Sequence, residues 1–269
     1  MRFIQHKAEA RWFYRVVSKG YDRWINPLFW TAPMRDAALA LARLDADPDL
    51  EIVDVGAGTG FATEAIVAAA GTERVTMLDQ SPHQLARARR KRVLDGVTKV
   101  LGDAEALPFA TDSHDRYVST GSIEYWPDPQ RAIAEAYRVL RPGGVALLAG
   151  PLRRKHPLAR ALSDAWMLFP AEDEYVAWFE RAGFESIERV HVAPDWWDSR
   201  WDRYAVAIAA VKPRAGEPPA LPAGAAVAAE EEPAPAMAVR LARFAAGSLA
   251  GAAFIPVALW FTLVRKLRR

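Results

Sequence analysis

Glu51-Ile52-Val53-Asp54-Val55-Gly56-Ala57-Gly58-Thr59-Gly60 passes straight into a helical pattern at Phe61–Ala70, and the rest of the chain is placed by this run. A short apolar, β-branched segment enters a glycine-rich turn, and a helix follows at once. Glycines let the backbone turn tightly and let a ligand touch the main chain. A helix starting there aims its first amides at that ligand. A dinucleotide fingerprint, G-x-G-x-x-G, would put glycine or alanine at position 61. This chain has Phe61, and its glycines follow G-x-G-x-G. The bulky ring argues against close approach of a pyrophosphate and favours a ligand without phosphates.

The alternation continues downstream. Apolar, β-branched runs recur at Arg74–Leu78, Lys99–Leu101, Arg116–Thr120 and Val145–Ala149, separated by helical patterns at Pro82–Leu94 and Pro129–Leu140. A helix at Glu172–Ala182 and strands near Ser186–Val192 and Tyr204–Val211 complete the series. This spacing predicts an α/β protein, a mostly parallel sheet with helices on both faces. Asp79 ends the second strand, 19 residues beyond Gly60, where a carboxylate can accept from two ribose hydroxyls. The competing reading is a solvated strand-end acid. Gly102-Asp103-Ala104-Glu105 follows the third strand, where a carboxylate can accept from an adenine amino group. Three strand ends that each meet one part of a nucleoside carry more than any one alone.

The 269 residues allow one large domain, or one domain and an appendage. Hydrophobic and charged shares of 51% and 25% are globular values. The chain has no cysteine, which excludes disulfides, thiolate zinc sites, iron–sulfur clusters and a cysteine nucleophile. A net charge of +2 gives no case for nucleic acid, and nothing calls for a metal. The mean hydropathy of −0.08 is high for so charged a chain. Phe244–Val264 accounts for much of it, with 21 residues and no charge, ~31 Å as a helix. Arg240 and Arg243 precede it, Arg265, Lys266, Arg268 and Arg269 follow it, and Trp260 and Phe261 lie near one end. Pro213–Pro235, rich in Pro, Ala and Glu, reads as a flexible linker. The expectation is a C-terminal transmembrane helix, with a re-entrant hairpin kinked at Pro256 left open.

Met1–Arg11 lacks the apolar region of a signal peptide and the composition of a transit peptide. Trp12, Phe13, Val16, Val17, Tyr21, Trp24 and Ile25 recur at helical spacing, and Met34–Leu44 is a second helical stretch. These helices read as core packing or as a lid over an apolar ligand. The expected organisation is a helical lid over 1–45, the α/β domain over 46–212, a linker over 213–237 and an anchor over 238–269.

VDVGAGTG, LDQS, GDAEALPF and AYRVLRPGG resemble the class I S-adenosylmethionine-dependent methyltransferases, in their ubiquinone/menaquinone branch. YDRWINPLFW, STGSIEYWPDPQRAIAEAYRVL, DAWMLFP and EYVAWFERAGF narrow the resemblance to the prenyl-benzoquinol (MPBQ/MSBQ) methyltransferases of tocopherol and plastoquinone synthesis, over roughly residues 10–212. The resemblance implies a Rossmann-like fold of seven strands, with S-adenosyl-L-methionine as cofactor and a prenylated benzoquinol as substrate. It implies that Asp54, Gly56, Gly58 and Gly60 cradle the methionyl part, Asp79 and Gln80 the ribose, and Asp103 and Ala104 the adenine. Thr120 and Gly121 would sit beside the sulfonium, with Tyr21 closing over the pocket. The basic run Arg153-Arg154-Lys155-His156 departs from the plastid members, as does the lack of a transit peptide.

Methyl transfer needs an aligned acceptor and exclusion of water. Carbon methylation of a hydroquinone also needs a phenol to lose its proton, so a base near the ring is expected. The candidates are Glu124, Tyr125, His156 and Asp164, with Glu124 first by position. Trp126, Trp166, Met167, Phe169 and Trp178 would line an apolar acceptor pocket, or simply pack. The Arg153–His156 run reads as a solvated face or one laid on anionic lipid. A membrane-anchored enzyme with its catalytic domain on the cytoplasmic side is expected, with the lipid bilayer as partner. A methyltransferase of another membrane lipid (menaquinol, sterol or phospholipid), a nicotinamide-dependent dehydrogenase and a non-catalytic scaffold remain open; Phe61 opposes the dehydrogenase.

Overall fold

The computed structural model describes residues 26–200, 202–219, 245 and 254–267. Seven strands form one mixed sheet: β1 (Ile52–Val55), β2 (Val75–Asp79), β3 (Thr98–Leu101), β4 (His114–Thr120), β5 (Leu140–Pro151), β6 (Glu185–Val192) and β7 (Ala205–Val211). Their order is β3-β2-β1-β4-β5-β7-β6. The first five run parallel, and β7 lies antiparallel between β5 and β6. The helices are α1 (Asn26–Phe29), α2 (Ala32–Leu39), α3 (Phe61–Ala70), α4 (Pro82–Ala88), α5 (Pro129–Val139), α6 (Pro157–Trp166), α7 (Glu172–Arg181) and α8 (Phe254–Leu267).

Successive strand residues face opposite sides of a sheet, so a sheet with helices on both faces needs near-continuous apolar strands. Val53, Leu78, Tyr117 and Leu148 point to the face covered by α5 (Ile133, Tyr137) and α7 (Tyr175, Phe179). Ile52, Met77, Val118 and Leu147 point to the other, covered by α2 (Ala38), α3 (Ile66) and α4 (Leu85). The chain leaves β1 towards β2 on one side while β4 joins it on the other. This reversal opens a crevice beyond the carboxyl ends of β1 and β4, where ligands bind in such sheets.

Several elements differ from the sequence reading. The Pro82–Leu94 helix stops at Ala88 and resumes as a single 3-10 turn at Arg92–Leu94. The helix read over Met34–Leu44 starts at Ala32 and tightens into a 3-10 turn at Ala40–Ala42, closed by left-handed Arg43 at φ 52°. The first residues of the expected linker dock on the domain. Lys212, 0% exposed, donates to Asp112 Oδ1 (2.6 Å) and to the Gly216 carbonyl (2.8 Å), and the Gly216 N–H donates to Asp112 Oδ2 (2.9 Å).

The expected transmembrane helix is overturned. α8 has 14 residues, ~21 Å long against the ~30 Å of a bilayer core, and its last turn carries Arg265 and Lys266. Among the described residues, no helix is long and apolar enough to cross a membrane. Pro256 lies within α8, and residues 246–253 of the expected span lie outside the described residues. α8 packs against α1. The lid helix read over 12–25 and most of the linker lie outside the described residues.

Candidate functional site

The turn after β1 is shaped by main-chain bonds before any ligand is considered. The Gly56 and Ala57 N–H groups donate to the Leu78 carbonyl (2.8 and 3.1 Å), and the Gly60 N–H to the Ala57 carbonyl (2.8 Å). Gly56, Gly58 and Gly60 hold φ of 69°, 58° and 90°, which L side chains avoid. A Cβ on Gly56 would lie 2.5 Å from Ser122 Cβ, and one on Gly60 2.4 Å from Leu94 Cδ1. Gly58 is different: a Cβ there would meet only Gln84 Nε2, at an ordinary contact distance of 3.7 Å, so its backbone is the least crowded of the three. Ser119 Oγ donates to the Val55 carbonyl (2.7 Å) and meets Ser122 Oγ (2.5 Å), bracing the turn against the end of β4.

Two acids stand around this turn. Asp54, 1% exposed, accepts from Thr63 Oγ1 through Oδ2 (2.6 Å), while its enclosed Oδ1 has no partner among the described residues. Burial pushes its carboxyl up to about 7, opposed by the Thr63 hydrogen bond and helped by the neighbouring Asp79 charge. Asp79 accepts from the Gly58 N–H (2.8 Å) and the Ser81 N–H (2.7 Å). Burial raises its carboxyl to about 6 against those two bonds. Gln80 is half-buried beside it, and buried Ser81 caps α4. Asp103 Oδ1 accepts from the Glu105 N–H (3.0 Å), next to buried Ala104. That loop is pinned from α5. Glu135 Oε2 accepts from the Leu107 N–H (2.7 Å), and Arg138 donates to the Leu107 and Phe109 carbonyls (3.0 and 2.8 Å). An orphaned buried acceptor, an uncrowded glycine turn and a strand-end carboxylate suit the ammonium, carboxylate and ribose of S-adenosyl-L-methionine. Tyr21 lies outside the described residues.

At the end of β4, half-buried Thr120 and Gly121 lead to Glu124. The Glu124 Oε2 is enclosed and without a hydrogen-bond partner among the described residues, and burial pushes the carboxyl up to about 7. Tyr125 is buried. His156 is exposed at the start of α6. Asp164 is half-exposed and paired with Arg160 at 3.6 Å. Of the four candidate bases, Glu124 is the one with an enclosed, unclaimed carboxyl oxygen.

The run at 153–156 is no uniform solvated face. Arg154 is 6% exposed, donates to the Arg203 and Tyr204 carbonyls (3.2 and 2.7 Å), and lies over the rings of Phe169, Trp197 and Tyr204 at 4.9–5.6 Å. Arg153 pairs with Glu174 (2.7 Å); Lys155 and His156 are exposed. Of the expected pocket residues, Trp126 is buried and Trp178 packs against the core on the α5–α7 face, Met167 is buried and Phe169 meets Arg154. Trp196, Trp197, Tyr204 and Trp30 escaped the sequence reading. The visible signal was the aromatic density of Trp196-Trp197-Asp198-Ser199-Arg200-Trp201.

A family model described as a methyltransferase domain matches residues 53–148. The chain is 50% identical to the chloroplastic 2-methyl-6-phytyl-1,4-hydroquinone methyltransferase of Arabidopsis thaliana, covering 96% of this chain and 78% of that protein. It is 47% identical to the protein of the same name from Spinacia oleracea, covering 96% and 76%. The crystal structure of geranyl diphosphate C-methyltransferase from Streptomyces coelicolor A3(2), with S-adenosyl-L-homocysteine bound, has a TM-score of 0.58 and 18% identity, covering 67% of this chain and 79% of that one. This last likeness shows the Rossmann-like fold. Both plant relatives are named as chloroplastic, and no described helix can span a bilayer. The expectation of a bacterial-type, membrane-anchored enzyme facing the cytoplasm is thereby overturned, and no described helix supports the bilayer as a partner.

Proposed function

This chain belongs to the family of the 2-methyl-6-phytyl-1,4-hydroquinone methyltransferases and is an S-adenosyl-L-methionine-dependent methyltransferase; from that premise we propose that it methylates a ring carbon of a prenylated benzoquinol. Bound S-adenosyl-L-methionine supplies an electrophilic methyl group. We assign the chain's own residues as follows. The Gly58 main chain and the free Asp54 Oδ1 hold the methionyl end, with Gly56 and Gly60 shaping the turn. Asp79 and Gln80 hold the ribose, and Asp103 and Ala104 the adenine. Thr120 and Gly121 border the transfer point, and residues 46–212 form the catalytic unit.

Glu124 accepts the proton of a phenolic hydroxyl, which raises electron density on the adjacent ring carbon. One observation carries this reading: an enclosed carboxyl oxygen without a partner, three residues past Gly121 and held near pH 7 by burial. A base poised near the working pH abstracts a proton most effectively. Incubation with methyl-labelled S-adenosyl-L-methionine and 2-methyl-6-phytyl-1,4-hydroquinone in detergent tests it. The expected result is label on a ring carbon. An unlabelled quinol fraction refutes the substrate class.

A further inference from the structure

Trp30 lies flat against the end of β4. Its Cδ2, Cε2 and Nε1 atoms each stand 4.0 Å from the position a Cβ on Gly121 would take, and Gly121 holds φ at 63°. The positive φ favours a glycine there, and the indole lies within ordinary van der Waals contact of that position. The indole Nε1 is enclosed and finds no hydrogen-bond partner among the described residues. Buried indole N–H groups ordinarily find an acceptor. Two others nearby do: Trp196 Nε1 donates to the Leu28 carbonyl (2.6 Å), and Trp197 Nε1 to the Asp202 carbonyl (2.7 Å).

The main chain leading to Trp30 is clamped. The Leu28 carbonyl is held by Trp196, and the Phe29 carbonyl accepts from Tyr204 OH (3.0 Å). Phe29 and Trp196 also meet edge to face, with ring centroids 6.0 Å apart. The loop between β6 and β7 thus fixes the indole over Gly121, and Trp30 packs further against Met34, Val192 and Ala205. A side chain held this firmly, with one strong donor unspent, is set for a ligand atom.

Near the end of β4 two enclosed polar atoms thus find no partner among the described residues: the indole N–H of Trp30, over Gly121, and Oε2 of Glu124, three residues further along the chain. A hydroquinol has two ring oxygens in para positions. One must surrender its proton to a base, and the other keeps its hydroxyl and can accept a hydrogen bond. We propose that Trp30 is an acceptor-binding residue, its indole N–H donating to the ring oxygen para to the one that faces Glu124. The proposal rests on the benzoquinol reading above and adds the orientation of the ring. A site built to hydrogen-bond an oxygen rejects an analogue lacking it, because its buried donor is left unpaired.

The test is steady-state methyl transfer by the whole chain with wild type, Trp30→Phe, and a variant carrying 3-benzothienylalanine at position 30. The last keeps the shape of indole and replaces its N–H by sulfur. The substrates are 2-methyl-6-phytyl-1,4-hydroquinone and the two monophenols that each lack one ring oxygen. Both variants are expected to raise KM for the hydroquinone by roughly tenfold or more, with S-adenosyl-L-homocysteine affinity unchanged. On one of the two monophenols, wild type and variants should coincide. If the benzothienyl variant matches wild type on the hydroquinone, or if its loss is the same on all three substrates, Trp30 only packs and the proposal falls. If wild type leaves the hydroquinone unmethylated, the benzoquinol reading itself has failed, which is a distinct outcome.

Discussion

Asp79 Oδ2 accepts the Gly58 N–H at 2.8 Å, so the end of β2 and the glycine turn after β1 form one unit. The acid fixes the turn through its own hydrogen bonds, including one from the Ser81 N–H. Asp79→Ala leaves two main-chain donors unpaired, at about 1–3 kcal/mol for each that stays buried. We expect a lowered Tm together with a loss of S-adenosyl-L-homocysteine binding of roughly tenfold or more. Calorimetric titration and thermal melting of the same samples check this. Asp79→Asn, which keeps one acceptor, should recover part of the stability.

Asp54 should behave in the opposite sense. Its carboxyl is raised to about 7 in the fold, chiefly by burial, against an unfolded value near 3.9. A group whose folded pKa is raised contributes most below the unfolded pKa and loses that contribution as pH rises through the folded one. Asp54→Asn is therefore expected to melt at or above the wild-type temperature at pH 8 in the ligand-free protein. The rise in Tm on adding S-adenosyl-L-methionine should shrink in the variant, because the acceptor for the ammonium is gone. An unchanged ligand-induced shift would remove Asp54 from the cofactor site.

The glycines separate in the same way. An alanine at Gly58 meets nothing closer than Gln84 Nε2 at 3.7 Å, whereas one at Gly56 lies 2.5 Å from Ser122 Cβ. Both positions are left-handed, at φ 58° and 69°, which adds about 1–2 kcal/mol of strain for a non-glycine residue. Gly58→Ala should fold with that modest loss and bind S-adenosyl-L-homocysteine weakly. Gly56→Ala should lose more stability by urea titration, since Ser122 must move as well.

Much of this site was legible because its carriers are local. A β-branched strand, three glycines and a strand-end acid lie within 30 residues of one another, and each is fixed by its own backbone. Arg154 was not legible. It stands in a charge run, and its burial depends on Phe169, Trp197 and Tyr204, which are distant in sequence. Trp30 escaped for the same reason, since Trp196 and Tyr204 place it from nearly 170 residues away or more. The C-terminal reading erred differently. Composition showed that Phe244–Val264 is apolar, but the helix described there, Phe254–Leu267, has 14 residues, short of the ~20 that a bilayer core needs.

Glu124 makes the reaction itself pH-dependent. Burial places its carboxyl at about 7, and the base must be ionised to accept a phenolic proton. The kcat/KM for the quinol is expected to rise as pH passes upward through 7 and then to level off. Glu124→Gln should lower the plateau roughly 100-fold or more and abolish this limb. A variant that keeps the limb at the same pH would assign the titration to another group.

Lys212 and Asp112 are joined at 2.6 Å, but their exposures differ, with side chains 0% and 29% accessible. Lys212 also lies 4.6 Å over the Tyr137 ring and donates to the Gly216 carbonyl. Removing the acid strands a fully buried ammonium, which by analogy with broken buried pairs costs about 3–5 kcal/mol. Removing the lysine leaves a carboxylate that water can still reach, and methionine can fill the aliphatic path. Asp112→Ala should therefore lower the urea midpoint more than Lys212→Met does. Against the opposing pull of desolvation, the hydrogen bonds from Lys212 and the Gly216 N–H, together with the Lys212 charge, hold Asp112 below its usual range. Its contribution is present above the unfolded pKa and lost as pH falls through the folded one. The gap between wild type and Asp112→Ala should accordingly close on acidification below about pH 4. A gap that persists unchanged there would show that the ion pair does not hold this corner of the fold.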